Sequence, residues 1–244
     1  MYKRQGVAAL LWRFVLTTGT GSIFGFLVAR QAYQSALLAP LFIVMSFGWG
    51  LAVFLVVQRT MYGWNSRALP PAIQRRMARL LGIFVAAALY LVAVQHLTGL
   101  YFARQSAFEA FILRDGGVFP WLLWGGYGLA GTLLPLLLLF HPRLGSERDV
   151  LLAAALTVAG AFAWLYVFII GGQAFPLEIF PGYDVKSDFM DGAIDHYSAS
   201  LPETLLAVGG LGIAFTITTI GVRVLRFLPQ DDIAELEAAG SIVD

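Results

Sequence analysis

Gln95, His96, Thr98 and Tyr101 crowd four hydrogen-bonding side chains into one short stretch, Gln95-His-Leu-Thr-Gly-Leu-Tyr101, at the end of a long apolar run. Histidine titrates near ~6.5 in water, so it exchanges protons at neutral pH where amides and hydroxyls do not. A histidine near membrane depth, flanked by an amide and a phenol, suits binding and deprotonating a polar headgroup. The competing reading is a polar cap on an interfacial helix end, and the residues alone leave both open. Arg13 is the other ionisable side chain inside an apolar run, and a snorkelling arginine accounts for it equally well.

Other chemistry is excluded more firmly. The chain has no cysteine, so it offers no disulfide, no thiolate zinc site and no cysteine-ligated iron–sulfur cluster. Its three histidines are His96, His141 and His196. With the topology below, His141 falls at the opposite side from the other two, and His196 lies in a loop rather than on a helix facing His96, so no pair at matching depth on facing helices is expected to hold a haem. No metal site is expected. A redox role would therefore require a diffusible carrier such as a quinone, and a partner that holds the metal centres.

Six apolar runs must position these residues, at roughly 6–29, 36–57, 80–101, 119–140, 150–171 and 203–225. Each approaches or exceeds the ~20 residues that an α-helix needs to cross ~30 Å of hydrocarbon. Composition agrees: 59% of residues are hydrophobic and 13% charged, against about 25% charged in a soluble domain. The expected fold is all-α, a polytopic membrane bundle of six transmembrane helices over residues 1–228. A short acidic tail follows at 229–244. Residues 71–79 read as an amphipathic lead-in to the third helix. Glycine-rich stretches at Gly125-Gly126-Tyr127-Gly128 and Gly209-Gly210-Leu211-Gly212 predict close helix packing. No internal repeat of the kind built into secondary transporters is visible.

Charge orients the bundle. With six spans, the side carrying the N-terminus holds eleven basic residues: Lys3, Arg4, Arg59, Arg67, Arg75, Arg76, Arg79, Arg143, Arg148, Arg223 and Arg226. The other side holds four: Arg30, Arg104, Arg114 and Lys186. The positive-inside rule then makes both termini cytoplasmic, in the cytoplasmic membrane of a bacterium or archaeon. The long segment 172–202 lies on the opposite, periplasmic side. Its prolines, its aromatics and the acids Glu178, Asp184, Asp188, Asp191 and Asp195 predict an ordered loop that docks a partner. The first run is unusual for an opening helix, because it carries Arg13 and the polar patch Thr17-Thr18-Gly19-Thr20-Gly21-Ser22. It reads as an internal helix of a longer, N-terminally truncated protein.

Three stretches carry a more specific likeness. Tyr166-Val-Phe-Ile-Ile-Gly-Gly-Gln173 leads into Ala-Phe-Pro-Leu-Glu-Ile-Phe-Pro-Gly-Tyr183, and Ser200-Leu-Pro-Glu203 opens the last helix. Earlier, Ser35-Ala-Leu-Leu-Ala-Pro-Leu-Phe42 is followed by Gly48 and Gly50. With the Gln95–Tyr101 stretch, their order and spacing resemble the NrfD-like family of polysulfide reductase membrane subunits.

That resemblance implies a subunit of a respiratory oxidoreductase complex, at home in anaerobic respiration. It would exchange electrons between the quinone pool, menaquinone or ubiquinone, and a periplasmic iron–sulfur subunit, often joined to a molybdopterin catalytic subunit. Thr17, Gln95, His96 and Tyr101 would contact the quinone. His96 would take its proton, and Glu178 or Glu203 would relay it outward. Thr17 stands where relatives often have a histidine, and Gln95 where they often have an acid. Both changes remove titratable groups. A quinone-inactive anchor or proton-conducting subunit is therefore the alternative reading, and an unrelated transporter a weaker one. A polar cavity reaching lipid near Thr17, Gln95 and His96 would favour quinone chemistry, and a packed interior there the anchor.

Overall fold

The computed structural model describes residues 2–64, 71–141, 146–177, 193–195 and 197–224. Among these, six helical segments are long and apolar enough to cross a membrane: Arg4–Gly25, Leu38–Gly63, Ala72–Tyr101, Val118–Phe140, Glu147–Ala174 and Leu201–Gly221. The chain is an all-α, multi-pass integral membrane protein, as the apolar runs predicted.

Helices α1 (Tyr2–Gly25), α2 (Leu38–Trp64) and α3 (Pro71–Tyr101) supply the first three spans. The lead-in at 71–79 is continuous with α3, and Pro71 opens that helix, where a missing N–H costs nothing. The first helix stops at Gly25, short of the expected residue 29, because residues 26–37 fold into turns across the end of the bundle. A short helix, α4 (Ala103–Ala110), follows α3 and widens into a π-helical turn at Phe111–Asp115. Gly117, at φ +62°, then reverses the chain, a conformation open to glycine and strained for other residues.

The fourth span joins α5 (Val118–Trp121), a π-helical stretch at Leu122–Leu133 and α6 (Leu134–Phe140). The fifth joins α7 (Glu147–Tyr166), a π-helical turn at Val167–Gly171 and α8 (Gly172–Ala174). Ser146 and Asp149 form a reciprocal capping box at the start of α7, a motif whose loss costs about 1 kcal/mol. These two spans meet backbone to backbone. Gly131 and Gly160 leave no room for a β-carbon on either helix, and a β-carbon on Gly126 would strike the Ala163 methyl. Small residues allow this approach where lipid offers no hydrophobic driving force. Of the glycine stretches singled out in the sequence, the one at 125–128 thus packs a helix through Gly126. Gly209, Gly210 and Gly212 have nothing within 4 Å of a built β-carbon.

The chain divides into two compact units: residues 1–60 with 71–196, and residues 61–70 with 197–244. The first has an aromatic core. The Trp164 and Phe168 rings stack at 4.7 Å and 11°, and Phe24, Tyr33 and Phe42 each lie within 6 Å of another ring of this group. A second cluster, with Ala52, Leu81, Val85 and Ala154, fills the space between α2, α3 and α7. The second unit contains α9 (Leu201–Val224).

Candidate functional site

The site begins at the end of α3. His96 lies five residues before Tyr101, about 8 Å from the helix terminus at 1.5 Å per residue. Its Nδ1 is 2.7 Å from Oε2 of Glu109, on α4. The His96 side chain is 21% exposed and the Glu109 side chain 4%. A carboxylate this enclosed at a membrane end requires a partner, and the imidazole provides it. With the shared proton on Nδ1, the ring donates to the carboxylate and keeps Nε2 as an acceptor. Gly99 makes the pair possible: a β-carbon at that position would occupy the space of the Glu109 carboxylate. Phe108, Phe111 and Ile112 are buried around the turn that carries Glu109.

Gln95 extends the polar group. Its Oε1 accepts from Ser35 Oγ at 2.9 Å, and Ser35 Oγ accepts from the Leu37 N–H at 3.2 Å. Gln95, His96 and Glu109 line a small cavity of about 30 Å³ together with apolar side chains that include Ala32, Leu41, Trp164 and Phe168. A cavity of that size admits a water or two beside polar groups. A quinone ring would need the surrounding side chains to move apart.

Donors from neighbouring segments hold this wall. The Tyr33 hydroxyl lies 3.1 Å from the carbonyl oxygens of both Phe168 and Ile169, in the π-helical turn whose wider winding leaves carbonyls to be satisfied. Burial pushes the Tyr33 phenol up to about 12, with Arg30 acting in the opposite direction. Arg30 Nη1 donates to the Gln173 carbonyl at 2.8 Å and reaches those of Gly172 and Phe175 at 3.4 and 3.3 Å. A cation at these terminal carbonyls opposes the helix dipole. Gln105 Nε2 donates to the Gln34 carbonyl at 3.2 Å and fixes α4 on the same loop.

The residues picked out in the sequence are thus only partly brought together. Gln95 and His96 share the cavity. Tyr101 is 85% exposed, with its ring on Phe102. Thr17 donates to the Arg13 carbonyl at 2.7 Å and lines a separate groove. Glu203 caps α9, accepting from Ser200 N–H at 2.7 Å, from Ser200 Oγ at 2.8 Å and from the Tyr197 hydroxyl at 3.1 Å. Glu178 and most of the expected docking loop, residues 178–192 and 196, lie outside the described residues. Glu109 is the carboxylate that sequence reasoning missed. Its signal was faint: an acid between two phenylalanines, Phe108 and Phe111, one helical reversal after a glycine-bearing helix end.

Residues 2–177 match the family model described as polysulphide reductase, NrfD. The chain belongs to that family. Among its relatives, the integral membrane subunit of an Hdr-like menaquinol oxidoreductase from Archaeoglobus fulgidus is 30% identical over 232 residues, covering 93% of this chain and 58% of the relative. A putative membrane subunit of dimethyl sulfoxide reductase from Halobacterium salinarum is 30% identical over 91% of this chain and 52% of its own length. A selenate reductase subunit from Mesobacillus selenatarsenatis is 24% identical over 91% and 51%. This NrfD chain spans a little over half the length of the curated relatives it matches.

Proposed function

We propose that this NrfD-family chain is a membrane subunit that exchanges electrons between the quinone pool and an iron–sulfur partner, with the His96–Glu109 pair as its proton acceptor. The observation that carries this reading is the 2.7 Å bond between a mostly covered imidazole and an enclosed carboxylate at one end of a span. Quinol oxidation releases two electrons and two protons. The electrons leave to the partner, since the chain has no cysteine to ligate a cluster. The first proton passes to Nε2 of His96 as the Nδ1 proton moves toward Glu109, so the pair accepts it without a net charge being stranded on the imidazole. Loss of that proton outward resets the pair for the second. Gln95, already hydrogen-bonded to Ser35, offers its amide N–H groups to a quinone oxygen. The names of the relatives support the quinone, because one of them is a menaquinol oxidoreductase subunit.

A second reading rests on the small cavity. Only about 30 Å³ is open beside His96, enough for water but not for a ring, which suits a subunit that anchors its complex and conducts protons. The two readings separate on one variant. Replacing His96 with Phe in the assembled complex should abolish quinol-dependent reduction of the partner while leaving subunit stoichiometry intact. Undiminished electron transfer in an intact complex would exclude the quinone role and leave the anchor. In the family setting we further propose a periplasmic partner docked on the acidic 178–195 segment, and both termini in the cytoplasm.

A further inference from the structure

The groove that holds Thr17 points to a different ligand. It has a volume of about 430 Å³ and lies between α1, α2 and α3, within the range of ordinary small-molecule sites. Its walls are Phe14, Phe47, Phe54 and Phe84, with aliphatic neighbours and a single charged side chain, Arg13. Leu10, Phe54 and Leu80 at its rim are about half exposed, so it opens on the outer side of these three helices.

The Arg13 guanidinium has no hydrogen-bond or ion-pair partner among the described residues, and no acid lines the groove. A guanidinium in apolar surroundings without a counter-charge is costly. The hydroxyls beside it do not help: Thr17 and Ser46 donate to carbonyls of their own helices. The groove thus lacks an anion and has ample apolar wall. Its depth is set by ring contacts, Phe14 on Phe47 at 5.5 Å and Phe47 on Phe84 at 5.3 Å. Arg79 lies five residues before Phe84, about 7.5 Å along the α3 axis, so the arginine-rich rim at the start of α3 is close to the wall that Phe84 provides.

We propose that this groove binds an anionic phospholipid, with one acyl chain along the phenylalanines and the phosphate against the Arg13 guanidinium. Basic recesses between spans recognise acidic headgroups in this way. A neutral quinone would fill the apolar wall but leave the guanidinium uncompensated.

The test is native mass spectrometry of the whole protein released from nanodiscs holding equal phosphatidylglycerol and phosphatidylcholine. The wild type should retain phosphatidylglycerol in preference, by about five-fold if one arginine dominates. Arg13→Gln should erase the preference, Arg13→Lys should keep most of it, and Arg76→Gln, at the rim but outside the groove, should leave it intact. Unfolding temperatures of the four proteins identify any variant that has lost its fold. Equal retention of both lipids by the wild type, or a preference that survives Arg13→Gln, would overturn the assignment. Equal losses in Arg13→Gln and Arg76→Gln would reduce it to general surface charge and likewise overturn it. Arg13-dependent retention of added decylubiquinone in place of phosphatidylglycerol would transfer the groove to a quinone.

Discussion

The carboxylate of Glu109 rests on Gly99, occupying the space that any side chain at position 99 would need. The two residues lie ten apart in sequence, on either side of the turn between α3 and α4. A glycine is therefore part of the proposed proton site although it carries no functional group. Gly99→Ala should push the carboxylate off His96 at a cost of about 1–3 kcal/mol, the usual penalty for overpacking. Its quinol oxidation should fall to the level of a variant lacking the acid. Turnover equal to the wild type, in a complex assembled to normal yield, would show that the contact is idle.

Glu109 itself gives a sharper comparison. Glu109→Gln keeps the volume and a hydrogen bond to His96 but removes the proton-accepting group. Quinol-dependent turnover should drop about 100-fold, in the range of general-base losses, with little change in thermal stability. Glu109→Ala should lose the same activity and in addition about 1–3 kcal/mol, because it strips the imidazole of its partner. Equal stability of the two variants would argue that the bond contributes nothing to the fold.

Tyr33 reports on the wall of the cavity. Its phenol is raised to about 12, chiefly by burial, so it remains a neutral donor through the physiological range. The unfolded phenol ionises near ~10, so the folded state should lose stability as pH rises from about 10 to 12. Below that window Tyr33 contributes no pH dependence. Tyr33→Phe should lower stability by about 1 kcal/mol, since carbonyls of Phe168 and Ile169 lose their donor, and should make the alkaline slope shallower. Unfolding curves at pH 8 and pH 11 for both proteins provide the check.

Orientation is tested by reporter fusions. A periplasm-active reporter should work at Asp188 and a cytoplasm-active one at Asp244, as the eleven-to-four basic asymmetry requires. A cytoplasmic signal at Asp188 would invert the bundle and with it the assignment of the acidic loop to a periplasmic partner.

The spans were legible because hydropathy over twenty residues averages out every local irregularity. His96 and Gln95 were legible for the same reason, as polar residues that interrupt such a run. Glu109 was not. It lies in Ala103–Asp115, a stretch whose arginines and serine read as an ordinary connecting loop. Only the fold of that stretch back onto α3 shows that one of its acids faces inward. The π-helical turns were equally hidden, since one extra residue per turn leaves no mark on composition. Yet those at Phe111–Asp115, Leu122–Leu133 and Val167–Gly171 all contribute to the cavity wall, through Ile112, Leu123, Val167 and Phe168. Thr17 was grouped with Gln95 and His96 by resemblance alone, and the packing of α1 turns it toward a different opening.

Where Gly131 meets Gly160 there is no side chain to change rotamer and no gap to close. The fourth and fifth spans therefore have no side chain between them to yield at this crossing, and a ring entering beside His96 cannot gain room from a rotamer change there. Trp164 and Phe168, on the fifth span and its π-helical turn, begin only four and eight residues beyond Gly160, so the aromatic wall of the cavity takes its position from a contact between two residues that have no side chains.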